Sequence, residues 1–322
     1  MNQVEHMVVA DPLAAFHEEG MLKIIAPAKI NLFLGVGAIR EDGLHDVTNI
    51  MHTLTLHDVF HLDYEQQSAG GLVVEASCFA REGLEPLILD SDDNLAVKAI
   101  KMLAEKLGRK QDETFRLRIE KHIPHQAGLG GGSSDAAAAL VGAAHVWGVN
   151  PLAPQVVESA AALGSDVAFF LHGGCACFLG KGEQLSHTLE PFKKPIVIIK
   201  PKRGASTAEV YQAFDKAPVV LPDETINNAL AAPKAENVML LNNLFQAAQS
   251  VVPELTEIHA WLKNQEGVED VLLSGSGSAT FAICDSFNVA CALSAGARKH
   301  GWWSRATTFS ALGASIVPKK KI

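Results

Sequence analysis

The chain has 322 residues, and at roughly 150 residues per domain that length predicts two domains, or one large one, with ample material for a buried core. Hydrophobic residues make up 48% and charged residues 20%, a balance that excludes collagen-like, low-complexity and charge-driven disordered classes. Lys and Arg number 27 against 36 Asp and Glu, a net charge of -9, so the global field repels polyanions and argues against a nucleic-acid partner; an anionic ligand has to be held locally.

A membrane partner is not expected either. The most apolar stretches, Val167–Leu171 and Ile196–Ile199, are far shorter than the about 20 residues of a spanning helix. Met1 to Leu22 carries Glu5, Asp11, Glu18 and Glu19 but no Lys or Arg, unlike a secretory signal or a transit peptide, which makes a cytoplasmic protein the expectation. Five cysteines (Cys78, Cys175, Cys177, Cys284, Cys291) without a C-x-x-C spacing point to reduced, buried thiols and not to a disulfide framework or a zinc ribbon.

Residues 1–20 form an N-terminal extension to which no role is assigned. From Leu22 to Leu34 the chain reads as strand, Pro27-marked bulge and strand, with Lys29 and Asn31 sharing one face against Ile30, Leu32 and Leu34. Arg40-Glu41-Asp42-Gly43 signals a turn, and Thr53–Asp63 alternates as a strand. His57 and His61 have helical ligand spacing but fall in that strand, which excludes a zincin-type metal site. Asn94–Leu107 reads as an amphipathic helix closed by Gly108. Thr114–Ile123 is a strand in which Phe115, Leu117 and Ile119 alternate with Arg116, Arg118 and Glu120. Helices are expected at Ser134–Val146 and Pro154–Leu163, and strands at Cys175–Leu179 and Ile196–Lys200. A domain boundary near residue 190 divides residues 21–190 from 191–322. The second part reads as helices near Thr207–Phe214, Leu241–Ala248 and Glu254–Asn264, with strands at Val271–Leu273 and Thr280–Cys284 around Gly275-Ser276-Gly277.

The segment that carries chemistry is Pro124-His125-Gln126-Ala127-Gly128-Leu129-Gly130-Gly131-Gly132-Ser133-Ser134-Asp135, between a strand and a helix start. Four glycines permit left-handed backbone, and the free amides and positive dipole end of the helix attract an anion, so a phosphate site follows. Ser133 and Ser134 add hydroxyls that can cap the helix or touch phosphate or magnesium. A Walker A loop needs Lys where Ser133 stands; a dinucleotide loop starting at Gly128 needs Gly there; no serine has the flanking glycines of a nucleophile elbow.

Pro-x-x-x-Gly-Leu-Gly-Gly-Gly-Ser-Ser resembles the phosphate loop of the GHMP kinases. Ala26-Pro27-Ala28-Lys29-Ile30-Asn31-Leu32, Asp42-Gly43-Leu44-His45, Gly164-Ser165-Asp166-Val167, Gly180-Lys181-Gly182-Glu183 and Ser274-Gly275-Ser276-Gly277 follow in the order found in the 4-diphosphocytidyl-2-C-methyl-D-erythritol kinases, over about residues 22–281. That resemblance implies an α+β, two-domain fold: a ribosomal-protein-like N-terminal domain that binds ATP, a ferredoxin-like C-terminal domain, and an active site between them. It also implies ATP-dependent phosphorylation, with Mg2+, of the 2-hydroxyl of a cytidine-diphosphate-linked methylerythritol in the non-mevalonate isoprenoid pathway. Monomer and homodimer both remain open.

By the same resemblance Lys29 and Asp166 match the catalytic pair. A carboxylate near the substrate hydroxyl can accept or orient its proton, beside an ammonium that offsets phosphoryl charge; a Lys–Asp pair by itself is an ordinary surface ion pair. Residues 124–134 are the ATP-binding set. Asn31, Leu44, His45, Thr207 and Tyr211 are the substrate-binding set, with His45 at the cytosine edge and Tyr211 over one face of the ring. Leu44 departs from the Tyr usual in the family and lacks its π-face. Tyr211 also fits as a core residue of an amphipathic helix. Metal ligands stay unassigned. The basic run Lys200-Pro201-Lys202-Arg203-Gly204 reads as a solvated loop that can draw an anion inward, and Lys319-Lys320-Lys321 as a weak anion contact. A same-fold kinase of another small molecule is disfavoured by Asp42–His45. A non-catalytic ligand sensor is disfavoured by the Lys29 and Asp166 pair, and a nicotinamide oxidoreductase by Ser133.

Overall fold

Two long strands, β1 (Leu22–Ile39) and β2 (His45–Gln66), run antiparallel across the turn at Arg40–Gly43, where Gly43 is left-handed (φ +79°). The computed structural model describes residues 20–67, 69–81, 83–84 and 93–319; the N-terminal extension up to Glu19, and Lys320 and Lys321 of the basic tail, lie outside the described residues. The β1–β2 register shifts between Pro27 and Lys29, the bulge that a residue without an N–H enforces. β3 (Leu72–Ala80) and β4 (Glu113–Lys121) extend this sheet in the order β1-β2-β4-β3. On β4, Phe115, Leu117 and Ile119 enter the core while Arg116 pairs with Glu65 on the other face.

Helices α1 (Leu95–Lys106), α2 (Gly131–Val146), α3 (Pro154–Leu163) and α4 (Ser165–His172) pack together and onto the sheet. α2 is the central one, and Ser134 through Ala144 are all buried. Its alanines let it lie close to the strands. A Cβ on Gly142 would stand 2.7 Å from Leu62 and 2.8 Å from Ile24, so a larger residue there would push the helix off the sheet. α4 encloses the uninterrupted apolar run Val167–Leu171, which has no period for a sequence pattern to reveal.

β5 (Cys175–Leu179) pairs with β2 and β6 (Gln184–Leu189) with β5. β7 (Pro195–Lys200) then begins a second, antiparallel sheet, whose order is β11-β7-β10-β9 with β9 (Val268–Leu273), β10 (Thr280–Cys284) and β11 (Trp303–Thr308). Ile196 and Ile198 face the core shared with the first sheet, while Val197 and Ile199 face α8 (Glu254–Lys263) and α9 (Phe287–Lys299). Burial on both faces explains the continuous apolar run of β7.

The helix expected over Leu241–Ala248 is two elements. β8 (Leu241–Asn242) pairs with β1, and α7 begins only at Phe245 (Phe245–Val251). Asn242 ends the strand: its side chain donates to the carbonyls of Leu273 and Gly275 and accepts from the Leu244 amide. β12 (Ser315–Ile316) also pairs with β1, so late residues complete the first sheet. Between these lie α5 (Thr207–Lys216) and α6 (Asp223–Leu230).

Candidate active site

The glycine loop and the N-terminus of α2 form the floor of a cleft of about 710 Å³. Gly128 (φ +74°) and Gly130 (φ +73°) are left-handed, and so is Gln126 (φ 49°), whereas Gly131 and Gly132 are already helical. The loop's conformational demand therefore falls on Gly128 and Gly130. A Cβ on Gly128 would stand 2.1 Å from the Ser274 carbonyl oxygen.

That proximity reflects a second glycine turn clasped onto the first. The Ser274 hydroxyl donates to the Gly128 carbonyl at 3.0 Å, the Ser278 hydroxyl to the Gln126 carbonyl at 3.2 Å, and the Ala279 amide to the Ala127 carbonyl at 2.9 Å. Gly128→Val, with a β-branched side chain at positive φ and no room for its Cβ, is expected to weaken ATP binding at least tenfold. Titration calorimetry on the folded variant checks this, and unchanged affinity would mean that the loop does not cradle phosphate.

The β1 bulge turns Lys29 into the same cleft, and the side chain is almost fully buried. Its ammonium donates to Asn31 Oδ1 at 2.8 Å and lies 3.4 Å from Asp166 Oδ2. Asn31 in turn donates to Asn49 Oδ1 at 2.6 Å, which fixes its amide with the oxygen toward Lys29. Asp166 sits in the first turn of α4, where a carboxylate complements the helix dipole, and it remains 29% exposed. Ser165 and Lys181 line the adjoining wall and are joined by the bond from the Ser165 hydroxyl to the Lys181 carbonyl. The sequence motifs that contain Ser165 and Lys181 assign neither of them a role.

Beneath the loop lies a cluster that sequence reasoning did not single out. Lys121 Nζ pairs with Asp58 and, at 2.5 Å, with Asp135 Oδ2, and all three side chains are buried. Asp58 Oδ1 also accepts from the amides of His122 and Ile123. The signal was one of parity: Lys121 continues the inward series Phe115, Leu117, Ile119, and Asp58 the inward series of Phe60 and Leu62. Burial opposes the Lys121 charge, but Asp135 and Asp58 outweigh it and hold the ammonium charged. Burial pushes the Asp135 carboxyl up to about 7, with Lys121 opposing and Asp58 adding.

An ordinary aspartate titrates near 3.8, so folding takes up a proton at Asp135 between that value and about 7. Its stabilising contribution is full below the window, falls as pH rises through it, and is lost above. Urea unfolding of wild type and Asp135→Asn across this range checks the sign: the wild-type advantage should decline as pH rises.

Thr207 and Tyr211 of α5 line the cleft with the loop, Lys29, Asn31 and Asp166. Thr207 Oγ1 and Ser276 Oγ are 3.0 Å apart. Tyr211 also packs in a core cluster with Val210 and Phe214, so it is both a core and a cleft residue. Its hydroxyl is pushed up to about 12 by burial, with the Asp166 charge adding. Leu44, His45 and Ser134 are not part of the cleft lining. Leu44 is 46% exposed on the β1–β2 turn, and His45 is buried behind Tyr211 with ring centroids 5.4 Å apart. The basic run folds back: Lys200 Nζ donates to the Pro201 and Lys202 carbonyls, and the Ala205 amide to Gln126.

The GHMP kinases N terminal domain model matches residues 94–174, and the GHMP kinases C terminal model matches residues 228–301. A 4-diphosphocytidyl-2-C-methyl-D-erythritol kinase of Desulfitobacterium hafniense is 36% identical over 266 residues, 81% of this chain and 87% of that protein. The Bacillus subtilis enzyme of the same name is 36% identical over 262 residues, 80% and 86% of the two chains. A crystal structure of 4-(cytidine 5'-diphospho)-2C-methyl-D-erythritol kinase superposes with a TM-score of 0.68 at 32% identity, covering 90% of this chain and 99% of that one. A homoserine kinase from Cytophaga hutchinsonii reaches 0.66 at 17% identity over 94% and 98% of the chains, a likeness of fold alone. Among the described residues no helix is long and apolar enough to cross a membrane.

Proposed function

The chain belongs to the 4-diphosphocytidyl-2-C-methyl-D-erythritol kinase family of GHMP kinases, and from that premise we propose that it transfers the γ-phosphoryl group of ATP to the 2-hydroxyl of 4-diphosphocytidyl-2-C-methyl-D-erythritol. The observation that carries this reading is the Lys29–Asn31–Asp166 cluster opening onto the glycine loop within one cleft. The loop amides from Gly128 to Ser133 and the α2 dipole hold the nucleotide phosphates. Asp166 faces the acceptor hydroxyl and takes or steers its proton, a modest demand in a loose phosphoryl-transfer transition state. The hydroxyl oxygen bonds to the γ-phosphorus, the bond to the β-phosphate oxygen breaks, and ADP leaves. The Lys29 ammonium donates to Asn31 and is ion-paired with Asp166 at 3.4 Å, and its remaining donor capacity serves the phosphoryl oxygens that gain charge.

Lys181, at the cleft wall, supplies a cation for the substrate's diphosphate. Among the described residues no group of three His, Cys, Asp or Glu side chains is placed to hold a metal. The cleft does present the Ser133 hydroxyl and the Asp166 carboxylate, hard oxygen donors of the kind Mg2+ accepts when phosphates and water complete its shell. Bound there, the ion neutralises phosphate charge.

Tyr211 lines the cleft and stacks on the pyrimidine, while His45 stands behind it and Leu44 lies on the exposed turn beside His45. Leu44→Tyr is expected to lower the substrate's Michaelis constant a few-fold, about 1 kcal/mol, because an aromatic platform stacks a base better than an aliphatic one. Tyr211→Ala should raise it by more, since no second aromatic remains. Steady-state kinetics at saturating ATP distinguish the two.

The function is tested by ATP consumption with cytidine- and uridine-diphosphate conjugates of methylerythritol. Turnover of the cytidine conjugate alone is expected; turnover of neither would sink the reading, and ATP hydrolysis without an acceptor would favour a different kinase of this fold.

A further inference from the structure

The imidazole of His45 is held at both nitrogens. Nδ1 lies 2.9 Å from the Gly37 carbonyl, which only accepts, so Nδ1 carries a hydrogen and donates. Nε2 lies 3.0 Å from Asp215 Oδ1. Both ring nitrogens are committed to protein oxygens. The ring therefore offers no free acceptor to a ligand.

Asp215 supplies what the ring lacks. Its side chain is 42% exposed, and its contact with His45 engages one oxygen. It lies four residues beyond Tyr211 on α5, a spacing that puts both on one helix face. Tyr211 lines the cleft and touches the His45 ring, as does Phe214 from the same helix at 5.9 Å. Tyr211 thus presents an aromatic face to the cleft, and behind it, outside the cleft lining, stand the buried His45 ring and the half-exposed Asp215 carboxylate that it holds.

We propose that Asp215 is a specificity-determining residue, whose carboxylate, oriented by His45, accepts a hydrogen bond from the exocyclic amine of the substrate's base. This rests on the reading above, that the substrate carries cytidine. An acceptor-only carboxylate pairs with the amine of cytosine and repels the carbonyl that uracil presents at the same position. Stacking on Tyr211 cannot make that distinction, because either pyrimidine offers a π-face.

The test compares kcat/KM for the cytidine- and uridine-diphosphate conjugates in wild type, Asp215→Ala and Asp215→Asn. In Asp215→Ala the cytidine preference should fall about 10- to 100-fold, through a higher KM for the cytidine conjugate. Asp215→Asn is nearly isosteric and can present either its oxygen or its amide N–H, so it should gain uridine activity, which a residue with only a structural role would not confer. A wild type that prefers cytidine, with both variants keeping that preference, would overturn the role of Asp215 alone. A wild type that turns over neither conjugate would overturn the functional reading and this inference with it.

Discussion

Asp166→Asn is expected to lower kcat about 10³-fold or more while leaving ATP affinity within a few-fold. The substitution keeps the shape of the side chain and its place in the first turn of α4, but removes the negative charge that faces Lys29 at 3.4 Å. An amide can orient a hydroxyl; it cannot take its proton, and positioned proton acceptors contribute about 10²–10⁴-fold. The partner substitution Lys29→Met, which keeps the length and volume of a buried side chain, should cost as much if, as proposed, Lys29 donates to the phosphoryl oxygens. The two losses should not add. Each variant breaks the same unit, so the double variant should resemble the worse single one, as groups acting together behave. Rapid-quench measurement of the chemical step, beside calorimetry for ATP, separates loss of transfer from loss of binding. Near-wild-type transfer in Asp166→Asn would remove this residue from the reaction.

Much of this site was legible in the chain because its parts are local. Four glycines before two serines at a strand-to-helix junction describe an anion site from backbone chemistry alone, and Pro27 marks the bulge that the β1–β2 register shift displays. Alternation puts Lys29 and Asn31 on one strand face, and the bond between them is 2.8 Å long. Other features depend on partners far away in sequence. The 3.0 Å contact of His45 with Asp215 joins the β1–β2 turn to the end of α5, and no periodicity in either segment encodes it. The short strands β8 and β12 hold two residues each and take their conformation from β1, so tertiary pairing decides what local propensity does not. The Lys121 cluster belongs between these cases. Its parity was visible, since a lysine and an aspartate sit where the alternation of β4 and β2 calls for apolar residues. An inward charge on one strand gains meaning only once its opposite is found on another.

That cluster should carry the largest stability effect in the molecule. Lys121→Met preserves the length of the side chain and its apolar stem, but strands Asp58 and Asp135 in the core with no cation between them. The loss of one partner from a buried ion pair costs about 3–5 kcal/mol, chiefly through the uncompensated charge that stays behind. Asp58 keeps the amides of His122 and Ile123, so it stays partly satisfied. Asp135 keeps none of these, and the variant should answer by holding Asp135 protonated. The penalty should therefore grow as pH rises and the proton becomes harder to retain. Adding Asp135→Asn to Lys121→Met should recover part of the stability, because it replaces a stranded charge with a neutral amide of the same shape. Urea unfolding monitored by tryptophan fluorescence measures all three proteins, and the loop offers a second readout. Asp135 stands in the first turns of α2, and a Cβ on Gly131 would lie 3.5 Å from Lys121 Nζ, so ATP affinity should weaken with the loss of this anchor. A Lys121→Met protein within about 1 kcal/mol of wild type at neutral pH, with unaltered ATP binding, would show that the cation neither holds the α2 terminus nor offsets the two buried carboxylates.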